Sequence, residues 1–273
     1  MALYDKTVDG LTLHTSTLLE EVGVPHGFTT RFGGVSTGVF TSLNLAVNRG
    51  DEREKVRENY RRVCQALGVD MGGLVFTSQV HEDTVRKVTM ADQGTGLDKK
   101  IEYSADGLIT NVPGITLVSF GADCLTILLY DPEQKVIANV HAGWRGTALG
   151  IVQRAVERMV NEYGSQPSNI VAAIGPGISR CCFETHEDVP NAMVSALGEE
   201  ALDFVDNLRN GKFKVDLKGI NALRLRRCGV LTTKIDISPD CTMCSHEKYW
   251  SHRYTKGERG SQAALIALPE VGL

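Results

Sequence analysis

The chain has 273 residues, a formal net charge of −4, 42% hydrophobic and 23% charged residues, the make-up of a soluble globular protein long enough to bury roughly three quarters of its unfolded surface without disulfides. The acidic balance argues against a nucleic-acid partner, and no stretch reaches the roughly 18 apolar residues of a membrane span. Seven cysteines, an odd number that includes the adjacent Cys181 and Cys182, exclude a secreted disulfide framework and, with no basic-then-apolar signal order in MALYDKTVDG, point to reduced thiols in the cytoplasm.

In chain order, RFGGVSTGVFTSLNL (31–45) reads as a glycine-rich loop anchored by Phe32, Val35, Phe40 and Leu43. Residues 51–67 read as a helix. Asp51 and Glu54 form a capping-box pattern, Val56, Tyr60, Val63 and Leu67 share a face, and Gly68 stops the helix. Short runs rich in β-branched residues predict strands at 74–76, 105–109, 116–120, 126–130 and 136–140. After VHAGWRG, the spacing of Ala148, Ile151, Val152, Ala155 and Met159 predicts a second helix. A strand over 170–174 runs into GPGI, and helices follow over 187–197 and 217–227. No internal repeat or linker is visible, so a single domain spanning residues 1–273 is expected. Strands and helices mix without βαβ alternation, which indicates an α+β fold. A monomer is expected because no apolar stripe is left exposed.

His81 in SQVH, Cys124 in GADC and His141 in VHAGWRG each sit at the end of a strand-like run. Together they would offer one thiolate and two imidazoles, a set that suits Zn²⁺ and leaves a fourth position open for water or substrate. Arg145, between Trp144 and Gly146, is a candidate anion-binding group, helped by backbone N–H groups at the helix start. The same cysteine and His141 would also serve as the nucleophile and base of a covalent dyad. Alternatively, Cys124 is a buried small hydrophobe. In CTMCSHEKYWSHR, Cys241 and Cys244 form a C-x₂-C pair followed by His246 and His252, like the opening of a structural zinc site. A Cys₂His₂ finger would leave about a dozen residues between the second cysteine and the first histidine, so this segment is expected instead to pack against the site, with Arg253 or Arg259 as anion contacts. Cys181 and Cys182 are expected in the core. Dinucleotide, P-loop, HExxH, G-x-S-x-G and nucleobase-deaminase signatures are all missing.

RFGGVSTGVFTSLNL, SQVH, GADC, HAGWRG, IGPGISRCCFE and the terminal CT followed by YWSHR, in that order over nearly the whole chain, resemble the YfiH/YlmD family, formerly described as multicopper polyphenol oxidases or laccases. The resemblance implies a purine nucleoside phosphorylase acting on adenosine, inosine and 5′-methylthioadenosine, with adenosine deaminase activity. It also implies zinc held by His81, Cys124 and His141, and an α+β fold of mixed sheets and flanking helices related to cysteine-hydrolase-like toxins. At its end the chain departs from the family's T-G-R, with KGERG (256–260) in that place, so the resemblance does not carry over to Arg259. Under this reading Arg31 and Arg145 would contact phosphate, and Asp123 or Asp106 would relay a proton. The partners would be small molecules, purine nucleosides and phosphate. The rivals are a copper (Cu²⁺) polyphenol oxidase, a cysteine-type amidase or hydrolase editing a cell-wall precursor, and a non-enzymatic metal- or partner-binding module.

Overall fold

The computed structural model describes residues 3–268. An N-terminal hairpin of β1 (Leu3–Val8) and β2 (Leu11–Ser16) leads through α1 (Thr17–Glu21) to β3 (His26–Thr29), the glycine-rich loop and α2 (Arg53–Leu67). Next come β4 (Leu74–Phe76), β5 (Val85–Lys87), β6 (Gly107–Thr110), β7 (Thr116–Gly121), β8 (Leu125–Asp131) and β9 (Val136–Ala142), followed by α3 (Trp144–Leu149) and α4 (Ile151–Tyr163). The remainder contains β10 (Val171–Ile174), β11 (Glu184–Thr185), α5 (Asp188–Leu197), β12 (Val205–Asn207), β13 (Phe213–Val215), α6 (Leu217–Arg227), β14 (Ile235–Ile237), α7 (His252–Thr255) and β15 (Gln262–Ala267).

Two six-stranded mixed sheets result, ordered β1-β2-β3-β15-β7-β4 and β14-β10-β8-β9-β6-β5, with β11-β13-β12 as a small third sheet. The sequence reading assigned no element to the N-terminal strands or to β15, which make up most of the first sheet. The period-2 alternation of strands sorts their side chains into separate cores. On β8, Leu128 and Tyr130 join Leu117 of β7 and Ala264 and Ile266 of β15 between the sheets. Ile127 and Leu129 of β8 face the other way, against Val152, Ala155 and Met159 of α4 and Ile220 of α6. On the far side, Val118 of β7 and Leu265 of β15 pack on Val56, Tyr60 and Val63 of α2. The architecture is therefore helix, sheet, sheet, helix in four layers, an α+β domain. Asn139 of β9 ties the two sheets together from within, donating to Leu117 O at 2.9 Å and Ala264 O at 2.8 Å. No helix among the described residues is long and apolar enough to cross a membrane.

Two helix expectations need correction. The first helix starts at Arg53, because the Asp51 carboxylate is taken by the Asn44 side chain at 2.9 Å and the Glu52 N–H at 2.8 Å and caps nothing. Gly68 does end it, in the left-handed conformation (φ 67°). The helix expected after VHAGWRG is two helices, α3 and α4, broken at Gly150 (φ 86°). The glycine-rich loop is held mainly by polar anchors. Phe32 is 45% exposed whereas Leu43 is fully buried, and Asn59 of α2 donates to Asn44 O and accepts from Val35 N–H, both at 2.8 Å. A Cβ at Gly34 would lie 2.1 Å from Ser42 O, so the loop closes on itself only with glycine there.

Candidate active site

The site forms where the chain crosses between the sheets. β4 belongs to the first sheet and β5 to the second, and His81 lies on the connection between them. β7 and β8 are divided in the same way, and Cys124 lies in their connection. The third member comes from strand register. Val140 and Ala142 of β9 face the helices, so His141 between them points to the opposite side. Gly107 pairs with Val140, which sets Asp106 opposite His141. Leu125 pairs with Ala142, which sets Cys124 beside Gly143. His81 (φ 65°) and the neighbour of Cys124, Asp123 (φ 89°), both adopt left-handed backbone conformations, the kind of local strain that gathers at functional sites.

The donor atoms of His81, Cys124 and His141 all lie within 4.8 Å of one another. His141 and Cys124 are drawn in from buried and half-buried positions, while His81 stands at the exposed rim. The two rings meet edge to face at 4.9 Å. Asp106, fully buried, organises the group. Its carboxylate accepts from the backbone N–H groups of Val80, His81 and Glu82 at 2.9–3.1 Å and from His141 Nδ1 at 2.8 Å, leaving Nε2 of His141 for a metal. Gln79 fixes the same loop by mimicking a strand: it donates to Phe120 O at 3.0 Å and accepts from Phe120 N–H at 2.8 Å. A Cβ on Gly143 would come within 3.3 Å of both Cys124 Sγ and His81 Cδ2, so glycine is what lets the backbone approach the cluster. One thiolate and two imidazoles with a buried carboxylate behind one ring fit Zn²⁺ by donor chemistry.

Burial opposes charge on both Cys124 and His141, but their mutual contact, His81 and Asp106 outweigh it. The thiol falls to about 6 and the imidazole rises to about 9. Between those values the metal-free site holds a thiolate beside an imidazolium. Alkylation of Cys124 by iodoacetamide in metal-stripped protein is accordingly expected to switch on as pH rises through about 6, and to be suppressed by zinc. Onset near 9, the ordinary thiol value, would contradict this.

The trio lies in a cavity of about 900 Å³, within the range of roughly 300–1,000 Å³ usual for small-molecule sites. Phe40, Phe76 and Phe120 line it, and so do Arg49 and Arg259. Neither arginine forms an ion pair among the described residues. Burial and the nearby Arg49 hold the Arg259 guanidinium down to about 10, and Arg259 Nε has no hydrogen-bond partner.

A family model described as multi-copper polyphenol oxidoreductase laccase matches residues 25–269. The chain belongs to the YfiH/YlmD family. A purine nucleoside phosphorylase from Deinococcus radiodurans is 39% identical over 249 residues, 91% of this chain and 90% of that protein. A protein named adenosine deaminase RL5, from an unidentified prokaryote, is 32% identical over 85% of this chain and 88% of its own length. The crystal structure of YlmD from Geobacillus stearothermophilus superposes with a TM-score of 0.91 at 32% identity, covering 99% of this chain and 100% of that one.

In this YfiH/YlmD protein most of the other residues singled out from sequence lie outside the cavity wall. Arg31 is committed to backbone carbonyls, donating to Thr41 O at 2.9 Å and His246 O at 3.0 Å, and stacks on Trp250 at 4.1 Å. It joins the glycine-rich loop to the YWSHR segment and does not line the cavity. Arg145 is exposed, lies over its neighbour Trp144 at 4.4 Å and is also absent from the cavity wall. Asp106 does not line the cavity; its carboxylate is occupied by the His141 ring and the backbone of the His81 loop. Asp123 accepts from Thr242 Oγ1 and from the Arg253 N–H, both at 2.6 Å, so both its oxygens are spent on holding the C-terminal segment. Arg253 turns away to Glu184 O at 3.0 Å. Arg259 reaches the cavity although its surrounding motif departs from the family pattern. Arg49 was not anticipated; it too is flanked by a glycine, Gly50, the feature that drew attention to Arg145. Because Asp106 acts through His141, Asp106→Asn is expected to weaken zinc binding about 10- to 100-fold, measured by competition with a chromogenic chelator. Unchanged affinity would remove Asp106 from that role.

Proposed function

We propose that the protein is a zinc-dependent purine nucleoside phosphorylase. It would convert adenosine, inosine and 5′-methylthioadenosine with phosphate to the free base and ribose 1-phosphate or its methylthio counterpart, and it would also deaminate adenosine. The observation that carries this reading is the meeting, in one cavity, of the His81/Cys124/His141 trio with Arg49 and Arg259, two guanidiniums without an ion-pair partner among the described residues. Zinc bound by the trio would supply a Lewis acid and a coordinated water with its pKa lowered towards roughly 7.

The chain's own residues do the remaining work. Arg49 and Arg259 present planar forks suited to the oxygens of a phosphate dianion. Phe40 and Phe120, the latter backed by the buried Phe76, offer apolar surface to a purine and keep water from C1′, where positive charge develops as the glycosidic bond breaks. A phosphate oxygen forms the new bond to C1′, and the purine leaves with the bonding electrons and takes up a proton at a ring nitrogen. Asp106 holds His141 and the backbone of His81 in place throughout.

The test is an adenosine assay of zinc-loaded protein with and without phosphate, reading adenine, inosine and ribose 1-phosphate. Adenine and ribose 1-phosphate are expected only with phosphate, and inosine in both. One observation favours a second reading: Cys124 and His141 lie side by side, with donor atoms within 4.8 Å and Asp106 behind the ring, which is also the arrangement a cysteine-type amidase needs. No nucleoside turnover, together with a covalent adduct at Cys124 from an amide substrate, would establish that alternative.

A further inference from the structure

The C-x₂-C pair does not gather the histidines that follow it in sequence. His246 stacks on Tyr254 at 3.5 Å, and neither His246 nor His252 joins the cluster. Instead Cys241 and Cys244 meet Cys181 and Cys182, which the sequence reading placed in the core. The four sulfurs lie within 4.8 Å of one another. The adjacent pair can converge because the 179–183 turn doubles back, with the Cys182 and Phe183 N–H groups both donating to Ser179 O at 2.9 Å.

We propose that Cys181, Cys182, Cys241 and Cys244 form a second, mononuclear zinc site, structural in role and separate from the cavity. Four thiolates around one zinc at about 2.3 Å in tetrahedral array stand about 3.8 Å apart. The separations here are 3.7 Å for Cys181–Cys182, 3.7 Å for Cys181–Cys244 and 3.3 Å for Cys182–Cys244. The second observation is the surroundings of Cys241, which is 6% exposed. Its sulfur accepts the Ser179 N–H at 3.4 Å and is approached by the N–H groups of Met243 and Cys244, donors that favour a thiolate. Lys218, 5% exposed, adds a positive charge that interacts with Cys241 and Cys181. Binding is not a redox step: zinc stays divalent, four Zn–S bonds form, and each ligating thiol gives up its proton to solvent.

Such a site would fasten the 175–183 loop to the 241–245 turn, where Thr242 N–H already donates to Gly177 O at 3.2 Å. The same Thr242 holds Asp123, the residue before Cys124, so the second zinc would brace the backbone of the catalytic trio from behind. The inference does not depend on the nucleoside reading.

The test is metal analysis of the full chain purified from zinc-supplemented medium. Wild type is expected to carry two zinc ions, and Cys124→Ala and Cys181→Ser/Cys244→Ser one each. If the double variant does not fold, cobalt-substituted Cys124→Ala decides the matter, and the proposal requires the intense sulfur-to-cobalt absorption of four thiolates. One zinc per wild-type chain that Cys124→Ala removes would overturn the proposal. So would intact-mass loss of two hydrogens per bond, showing the four cysteines joined as disulfides.

Discussion

Cys124→Ala is expected to lower kcat/KM for adenosine phosphorolysis by at least about 10³-fold, at the upper end of what loss of one preorganised stabilising group costs, and to remove one zinc per chain. The thiolate is the only anionic member of the trio, and without it His81, at the exposed rim, and His141 offer a divalent ion two ring nitrogens and no negative charge. The fold should survive, because Cys124 sits in a connection and belongs to none of the three packed cores. Steady-state kinetics with metal analysis on the same preparation checks both parts. Full activity in a folded, zinc-depleted variant would separate the chemistry from the trio.

Arg259→Ala and Arg49→Ala are each expected to raise the phosphate KM of phosphorolysis about 10²-fold, the loss of two to three kcal/mol of charge-assisted contact, while leaving deamination, which uses no phosphate, unchanged. The split follows from position. Both residues line the cavity that holds the trio, and although Arg259 Nη1 donates to Gly260 O and Ser261 Oγ, neither guanidinium has an ion-pair partner among the described residues. Arg145→Ala, which loses only a stack on Trp144, should leave the phosphate KM unaltered. Phosphate dependence that follows Arg145 and ignores Arg49 and Arg259 would reverse this assignment.

The convergence of His81, Cys124 and His141 was legible because each lies in a short motif at a strand boundary, and strand ends bring remote residues together. The four central strands of the second sheet, β10, β8, β9 and β6, and the helices over 187–197 and 217–227 were legible to within a residue or two from their runs of apolar and β-branched residues, whereas its edge strands β5 and β14, three residues each, were not. The four layers were not. All seven residues of β8 and of β9 are buried, so the polar alternation that would have betrayed a half-exposed sheet is missing. Arg31 and Arg145 stood out because their glycine-rich neighbourhoods resemble binding loops, but which arginine reaches the cavity depends on loop paths that no local pattern encodes. Cys181 and Cys182 lie some sixty residues from Cys241 and Cys244, whereas His246 is nearly adjacent. Proximity in the chain therefore pointed to His246 and His252 as the only neighbours to weigh, whereas the parallel bridge between Gly177 and Cys241 brings in the remote pair.

The family description speaks of copper oxidation, whereas the clusters of potential ligands among the described residues hold two imidazoles in one site and only thiols in the other, a poor match to several coppers. The most direct test is to strip the protein of metal and reconstitute it separately with Zn²⁺ and with Cu²⁺. Ribose 1-phosphate would be read from adenosine and phosphate, and oxygen uptake from a polyphenol. The account predicts that zinc restores ribose 1-phosphate formation with no oxygen consumption. Polyphenol-dependent oxygen uptake restored by copper alone, with no ribose 1-phosphate from the zinc-loaded protein, would contradict it.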